Sequence, residues 1–232
     1  MREIILDTET TGLDPISGDR IVEIAALELI NGCRTENIFH SYVNPERDMP
    51  DSAFKVHGIS FQFLIDKPVF SEVVDSFMSF ISNDRIVAHN ADFDIRFINS
   101  ELARLGHDAI DSRRVIDTLS IARRKHPGSS NSLDALCARY GVDRAKRVKH
   151  GALVDCELLA DVYAELLGGR QIGLELTTFR LARKAVGENA LRQRTYDLAS
   201  FLSPEEGEAH VGFKAAQGER SFWLKYAGKI DD

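Results

Sequence analysis

Two acids stand where an apolar strand ends: Ile4-Ile5-Leu6 runs directly into Asp7-Thr8-Glu9-Thr10-Thr11-Gly12. Residues two apart on a strand share a face, so Asp7 and Glu9 project together from the strand's end. Carboxylates side by side raise each other's pKa unless a cation lies between them, and hard divalent ions such as Mg²⁺ or Mn²⁺ take that oxygen pair. Gly12 lets the backbone come close to a substrate. An acid-x-acid pair alone is common and usually a solvated strand end, so the rest of the chain has to decide its meaning.

Two further segments place acids on lines that otherwise read as core. In His89-Asn90-Ala91-Asp92-Phe93-Asp94, Asn90 serves as an N-cap and Asp94 falls in the first turn of the helix that follows. Asp94, Ile98 and Leu102 are spaced by four, so this carboxylate lies on the helix's apolar stripe, where the positive helix end tolerates it. In His150-Gly151-Ala152-Leu153-Val154-Asp155, the acid precedes Leu158, Leu159, Val162 and Leu166 on the stripe of another helix. An ionised carboxylate facing a core is costly unless it is paired or metal-bound. His150 sits just before that helix, beside a glycine, and reaches the same place. Each signal is weak alone; four acids set where packing would not choose them, with one histidine, form a specific constellation.

Around these motifs the pattern is α/β. Arg20 to Ile30 and Cys33 to Val43 read as strands joined at the Asn31-Gly32 turn, Arg85 to Ala88 as a fourth strand and Val115-Ile116 as a fifth. Phe70 to Ile81 carries a helical stripe, and helices are expected from near Ala91, over Asn131 to Tyr140 and over Ala152 to Leu167. Strands first, then strands alternating with helices, predict a layered domain with a mixed sheet. Gly168-Gly169 stops the last helix and marks the domain boundary.

Composition excludes several classes. The 232 residues are 44% hydrophobic and 28% charged, ordinary for a soluble globular chain, and no apolar run is long enough for a membrane span. Met1-Arg2-Glu3 enters a strand at once, so no targeting segment is expected and the expected compartment is the cytoplasm. Cys33, Cys137 and Cys156 lie far apart and suggest neither a disulfide framework nor a zinc site. The net charge is −7, yet Ser112 to His150 holds ten Lys or Arg against three acids. Such a local excess is read either as phosphate contact or as a solvated helical face.

These motifs resemble the DEDD exonuclease superfamily in its histidine branch: Asp7 and Glu9 match the first motif, Asp94 the second, and His150 with Asp155 the third. The tyrosine branch would need Tyr-x-x-x-Asp, and Tyr140 is followed by Asp143, the wrong spacing. Within the superfamily, Asp7 to Gly12, Val56-His57-Gly58-Ile59 and Asn131 to Leu136 are similar to proofreading (epsilon) subunits of bacterial DNA polymerase III. The resemblance is strong from Arg2 to about Gly168 and looser beyond. It implies a ribonuclease-H-like mixed five-stranded sheet flanked by helices, and two-metal hydrolysis of a single-stranded 3′ end to nucleoside 5′-monophosphates. Asp7, Glu9, Asp94 and Asp155 would hold two Mg²⁺ or Mn²⁺ ions, and His150 would act as general base. Thr10, Gly12, His57, His89, Asn90, Lys146 and Lys149 would meet the substrate.

By the same resemblance, 1–169 is the exonuclease domain, 170–202 a linker and 203–232 a tail for the polymerase catalytic (alpha) subunit. Gln171, Leu174 and Leu176 are similar to peptides that dock on a sliding clamp. Phe213, Trp223 and Tyr226 are the expected anchors of the tail, and a small theta-like accessory subunit is a further implied partner. Two other readings compete: an RNA-directed relative of the oligoribonuclease or ribonuclease T kind, and a non-catalytic polymerase scaffold. The complete set of five site residues argues against the scaffold, and the long extension past Gly169 against a stand-alone RNA-trimming enzyme.

Overall fold

Alternation along the first strand sets the architecture. In the computed structural model, which describes residues 1–144 and 150–169, β1 (Arg2–Thr10) has neighbours on both sides, and Ile4, Ile5 and Leu6 are all fully buried. β1 pairs antiparallel with β2 (Ile21–Ile30) and parallel with β4 (Arg85–Ala88). β3 (Cys33–Tyr42) and β5 (Val115–Asp117) close a five-stranded sheet of order β3-β2-β1-β4-β5, the mixed sheet expected from the sequence. The β2–β3 turn takes positive φ at both Asn31 (53°) and Gly32 (78°), the conformation whose twist matches a two-residue hairpin.

Even-numbered β1 residues face one layer and odd-numbered ones the other. Ile4 and Leu6, with Ile24 and Ile86, pack against α3 (Phe70–Ile81) and α4 (Ala91–Arg104). Ile5, with Ala25, Leu27 and Val87, packs against α5 (Thr118–Lys125), α6 (Leu133–Tyr140) and α7 (Ala152–Leu166). Two shorter helices, α1 (Asp51–His57) and α2 (Phe61–Leu64), cover Val22 through Leu64 and the connecting Ile59. The Lys125 ammonium donates to the Glu165 and Leu166 carbonyls at 3.1 and 3.2 Å, closing the α7 C-terminus before the positive-φ pair Gly168 and Gly169.

Three differences from the sequence reading have local causes. α6 begins at Leu133 rather than Asn131, because the Ser132 hydroxyl caps it by accepting from the Ala135 N–H at 3.2 Å. α5 leaves no periodic signal in the sequence, because its buried side chains are only Thr118 and Ala122 and it has almost no apolar stripe. The two helices before Phe70 are too short for periodicity to show.

Phe77, fully buried with its ring 5.5 Å from that of Phe39, is a keystone of the α3 layer. Phe77→Ala is expected to cost about 3–5 kcal/mol in urea unfolding of the metal-free protein. A loss below about 1 kcal/mol would mean that this layer collapses around the missing ring.

Candidate active site

The site forms where β1 runs out of the core. Asp7 and Glu9 lie on the odd-numbered face, toward α5–α7, and a register shift between Glu9 and Thr10 ends the regular pairing with β2. Thr8, between them, points to the opposite layer and meets Asp94, the fourth residue of α4. The Thr8 N–H and hydroxyl both donate to Asp94 Oδ1, at 3.0 and 2.7 Å. Burial pushes the Asp94 carboxyl up to about 7, even though the two Thr8 bonds pull it down. Asp7 is held well above the usual carboxylate range by burial first, then by the charges of Asp94, Glu9, Asp155 and Glu23.

From the other layer comes Asp155, the fourth residue of α7 and only 4% exposed. Its Oδ2 lies 3.2 Å from His150 Nδ1, and the His150 side chain is 47% exposed. Glu9, His150 and Asp155 each offer one ligand atom within 4.8 Å of the others. Behind them stands Glu23, which the sequence reading did not single out. It is directly opposite Glu9 in the β1–β2 register and 3% exposed. Like charges so placed repel. Glu23 Oε1 is 2.7 Å from His40 Nε2, and Oε2 accepts the Ala152 N–H, at the start of α7, at 3.1 Å. Glu23 thus ties the helix carrying Asp155 to the strand opposite Glu9. Its only sequence signal was an acid inside an otherwise apolar run.

The remaining expected substrate residues divide. His89 and Asn90 line the cavity with the acids. Asn90 does not cap α4 through its side chain; its backbone is left-handed (φ 64°, ψ 48°), a region Asn tolerates better than most residues. Asp117 takes over instead, accepting the N–H groups of Asn90 and Ala91 at 2.9 and 3.3 Å while also capping α5. His89 Nδ1 is 2.9 Å from the Thr118 hydroxyl, and burial lowers its pKa, so its ring is a neutral wall element.

Thr10 is buried, its hydroxyl donates to the Gly12 carbonyl at 2.6 Å, and it does not line the cavity. Gly12 permits a close approach of Asp19, since a Cβ there would lie 2.2 Å from Asp19 Oδ2. His57 is buried away from the cavity lining, its Nδ1 accepting the Ile59 N–H at 3.0 Å. Leu13, 80% exposed and on the rim, was not anticipated; an apolar residue in a polar loop was its only signal. Lys146, Lys149, Gln171, Leu174, Leu176, Phe213, Trp223 and Tyr226 lie outside the described residues.

The cavity measures about 400 Å³ and is lined by Asp7, Glu9, Asp94 and Asp155 together with His150. These donors fit divalent cations: hard oxygens converge from three elements, and at Asp7 the neighbouring charges favour the neutral acid until a cation offsets them. No helix among the described residues is long and apolar enough to cross a membrane.

A mixed sheet of this order, with an acidic cavity at the end of its central strand, belongs to the ribonuclease-H-like nucleases. The sequence profile of the exonuclease (RNase_T) family matches residues 4–163. The chain is 47% identical over 218 residues to DNA polymerase III subunit epsilon of Rickettsia felis, covering 92% of this chain and 95% of that one. It is 43% identical over 219 residues to the Escherichia coli K12 subunit of the same name, covering 90% of each. Among solved structures, exonuclease X in complex with 5′ overhanging duplex DNA aligns at a TM-score of 0.57 and 29% identity, over 71% of this chain and 90% of that one. Exonuclease I of E. coli, in its zinc-bound complex with single-stranded DNA, aligns at 0.63 and 20% identity over 73% of this chain and 41% of its own, a likeness of fold alone. The chain therefore belongs to the exonuclease family and, within it, to the DNA polymerase III subunit epsilon family. It is a metal-dependent 3′→5′ exonuclease.

The raised Asp94 pKa carries a stability consequence. A carboxyl at about 7 in the folded chain and 3.8 in its ordinary state destabilises the metal-free fold fully above pH 7. That cost is relieved as pH falls through 7 and is gone below 3.8. Asp94→Asn is thus expected to melt higher than wild type in chelator at pH 8, with the gap narrowing toward pH 5. Melting curves at the two pH values test this; a gap that widens toward pH 5 contradicts it.

Proposed function

We propose that the chain proofreads DNA synthesis, hydrolysing the last phosphodiester of a mispaired single-stranded 3′ end and releasing a nucleoside 5′-monophosphate. The observation that supports this best is the convergence of Asp7, Glu9, Asp94 and Asp155 on one cavity, with His150 in hydrogen-bond reach of Asp155. In this reading the four carboxylates hold two Mg²⁺ or Mn²⁺ ions. When bound, such ions supply Lewis-acid stabilisation of the charge that builds on the scissile phosphate and the departing 3′ oxygen. Thr8 keeps Asp94 in place, and Glu23 does the same for the start of α7. His150, the most exposed member of the set, takes the proton of the attacking water as its oxygen bonds to phosphorus. The P–O3′ bond then breaks, the departing 3′ oxygen takes a proton from solvent, and the shortened strand leaves with a 3′ hydroxyl.

Relatives named as a subunit of DNA polymerase III support partnership with the polymerase, and we assign the contact to its catalytic (alpha) subunit. A sliding clamp and a theta-like subunit are further proposed partners, and the cytoplasm the proposed compartment. The residues expected to carry the alpha and clamp contacts lie beyond Gly169.

Alanine at Asp7, Glu9, Asp94 or Asp155 is expected to abolish most nuclease activity while leaving the metal-free fold intact, measured by product release and by melting. Near-normal rates in any two of these variants at saturating Mg²⁺ would refute the ligand set. His150→Ala is expected to cut turnover by about 10²–10⁴-fold with metal binding largely retained; calorimetric metal titration beside kinetics checks both halves. Comparing mispaired DNA with short RNA separates proofreading from RNA trimming, and faster turnover of the RNA would favour the latter.

A further inference from the structure

The acidic cavity continues into a second one of about 690 Å³, and the two share His89, Asn90 and Ser132. Leu119 and Arg123 of α5 form one wall of the second cavity, and the turn from Pro127 to Asn131 forms the other. Their charges are opposite. Asp7, Glu9, Asp94, Asp134 and Asp155 line the first, whereas Arg123 is the only Lys, Arg, Asp or Glu lining the second. Arg123 is exposed and makes no ion pair or hydrogen bond among the described residues. The neighbouring Lys125, by contrast, is committed to the α7 C-terminus.

The groove is also preformed. The Asn131 amide, 9% exposed, donates to the His126 and Ser129 carbonyls at 3.2 and 2.9 Å, which holds the turn in shape. The His89 ring is held against Thr118 on the opposite side. A ligand entering this groove meets walls that are already ordered, so little freedom is lost on binding.

A strand whose scissile phosphodiester sits among the carboxylates carries its next phosphodiester away on the 5′ side. That phosphate bears a full negative charge, which five neighbouring acids repel and a guanidinium attracts, with geometry suited to two parallel hydrogen bonds. We propose that the Arg123 groove is the binding site for the phosphodiester immediately 5′ of the scissile one, with Arg123 as its charge partner and Asn90 and Ser129 as neutral donors. This inference rests on the exonuclease reading of the acidic cavity. It makes the groove the element that registers a strand longer than the terminal nucleotide.

The test uses the full chain with Mg²⁺ or Mn²⁺ and two dinucleotides: d(TpT), which has only the scissile phosphate, and d(pTpT), which adds the next one. Wild type is expected to favour d(pTpT) in kcat/KM by roughly tenfold to a hundredfold, the worth of a hydrogen bond to a charged group. In Arg123→Gln that ratio falls toward one, and Arg123→Lys keeps part of it. Arg104→Gln, which removes one charge elsewhere, keeps the wild-type ratio. A wild type indifferent to the added phosphate, or an Arg123→Gln variant that retains the preference, overturns the proposal. The p-nitrophenyl ester of thymidine 5′-monophosphate, which needs only the acidic cavity, separates the two levels. If wild type cleaves this ester and both dinucleotides without preference, only the groove assignment falls. If it cleaves none of them, the exonuclease reading fails and takes the groove with it.

Discussion

Carboxylates that must lie close together, partly out of water, are the constraint around which this fold is arranged. Charges of one sign brought into a poorly solvated cavity repel strongly; the raised pKa of Asp7 records burial together with that repulsion, and that of Asp94 records burial above all. Three devices hold the arrangement together. Asp94 and Asp155 each occupy the fourth position of a helix, α4 and α7, where the positive end of the helix offsets part of their charge. Thr8 supplies two hydrogen bonds to Asp94. Glu23, forced opposite Glu9 by the β-register, is paired with His40 and the first N–H of α7.

The sheet makes this convergence possible. Because successive β1 side chains alternate, Asp7 and Glu9 address the α5–α7 layer while Thr8 addresses α4, so a single strand end gathers donors from both layers. Positioning is therefore graded. The carboxylates are held by strand, helix starts and hydrogen bonds, whereas His150 stands at the exposed edge.

Local preferences give way nearest the site. Asn90 adopts a left-handed backbone, and the cap of α4 is delegated to Asp117. Gly12 has no side chain because the Asp19 carboxylate occupies the space a Cβ would need. Asn90 lines the cavity, and Gly12 directly precedes Leu13 on its rim.

The α/β order, the β2–β3 hairpin and the four acids with His150 were legible in the sequence, because each depends on periodicity or spacing within a short stretch. Asp94 and Asp155 could be recognised because an acid on an apolar helical stripe contradicts its surroundings. What the sequence by itself determined was which side chains need an unusual environment; only the tertiary structure decided which groups provide it. Thr8 for Asp94, Glu23 for α7, Asp117 for α4 and the Arg123 groove beside the acids are each set by contact between segments remote in the chain. Spacing along one chain carries no record of such contacts, since they arise only when sheet register and helix packing bring distant residues together.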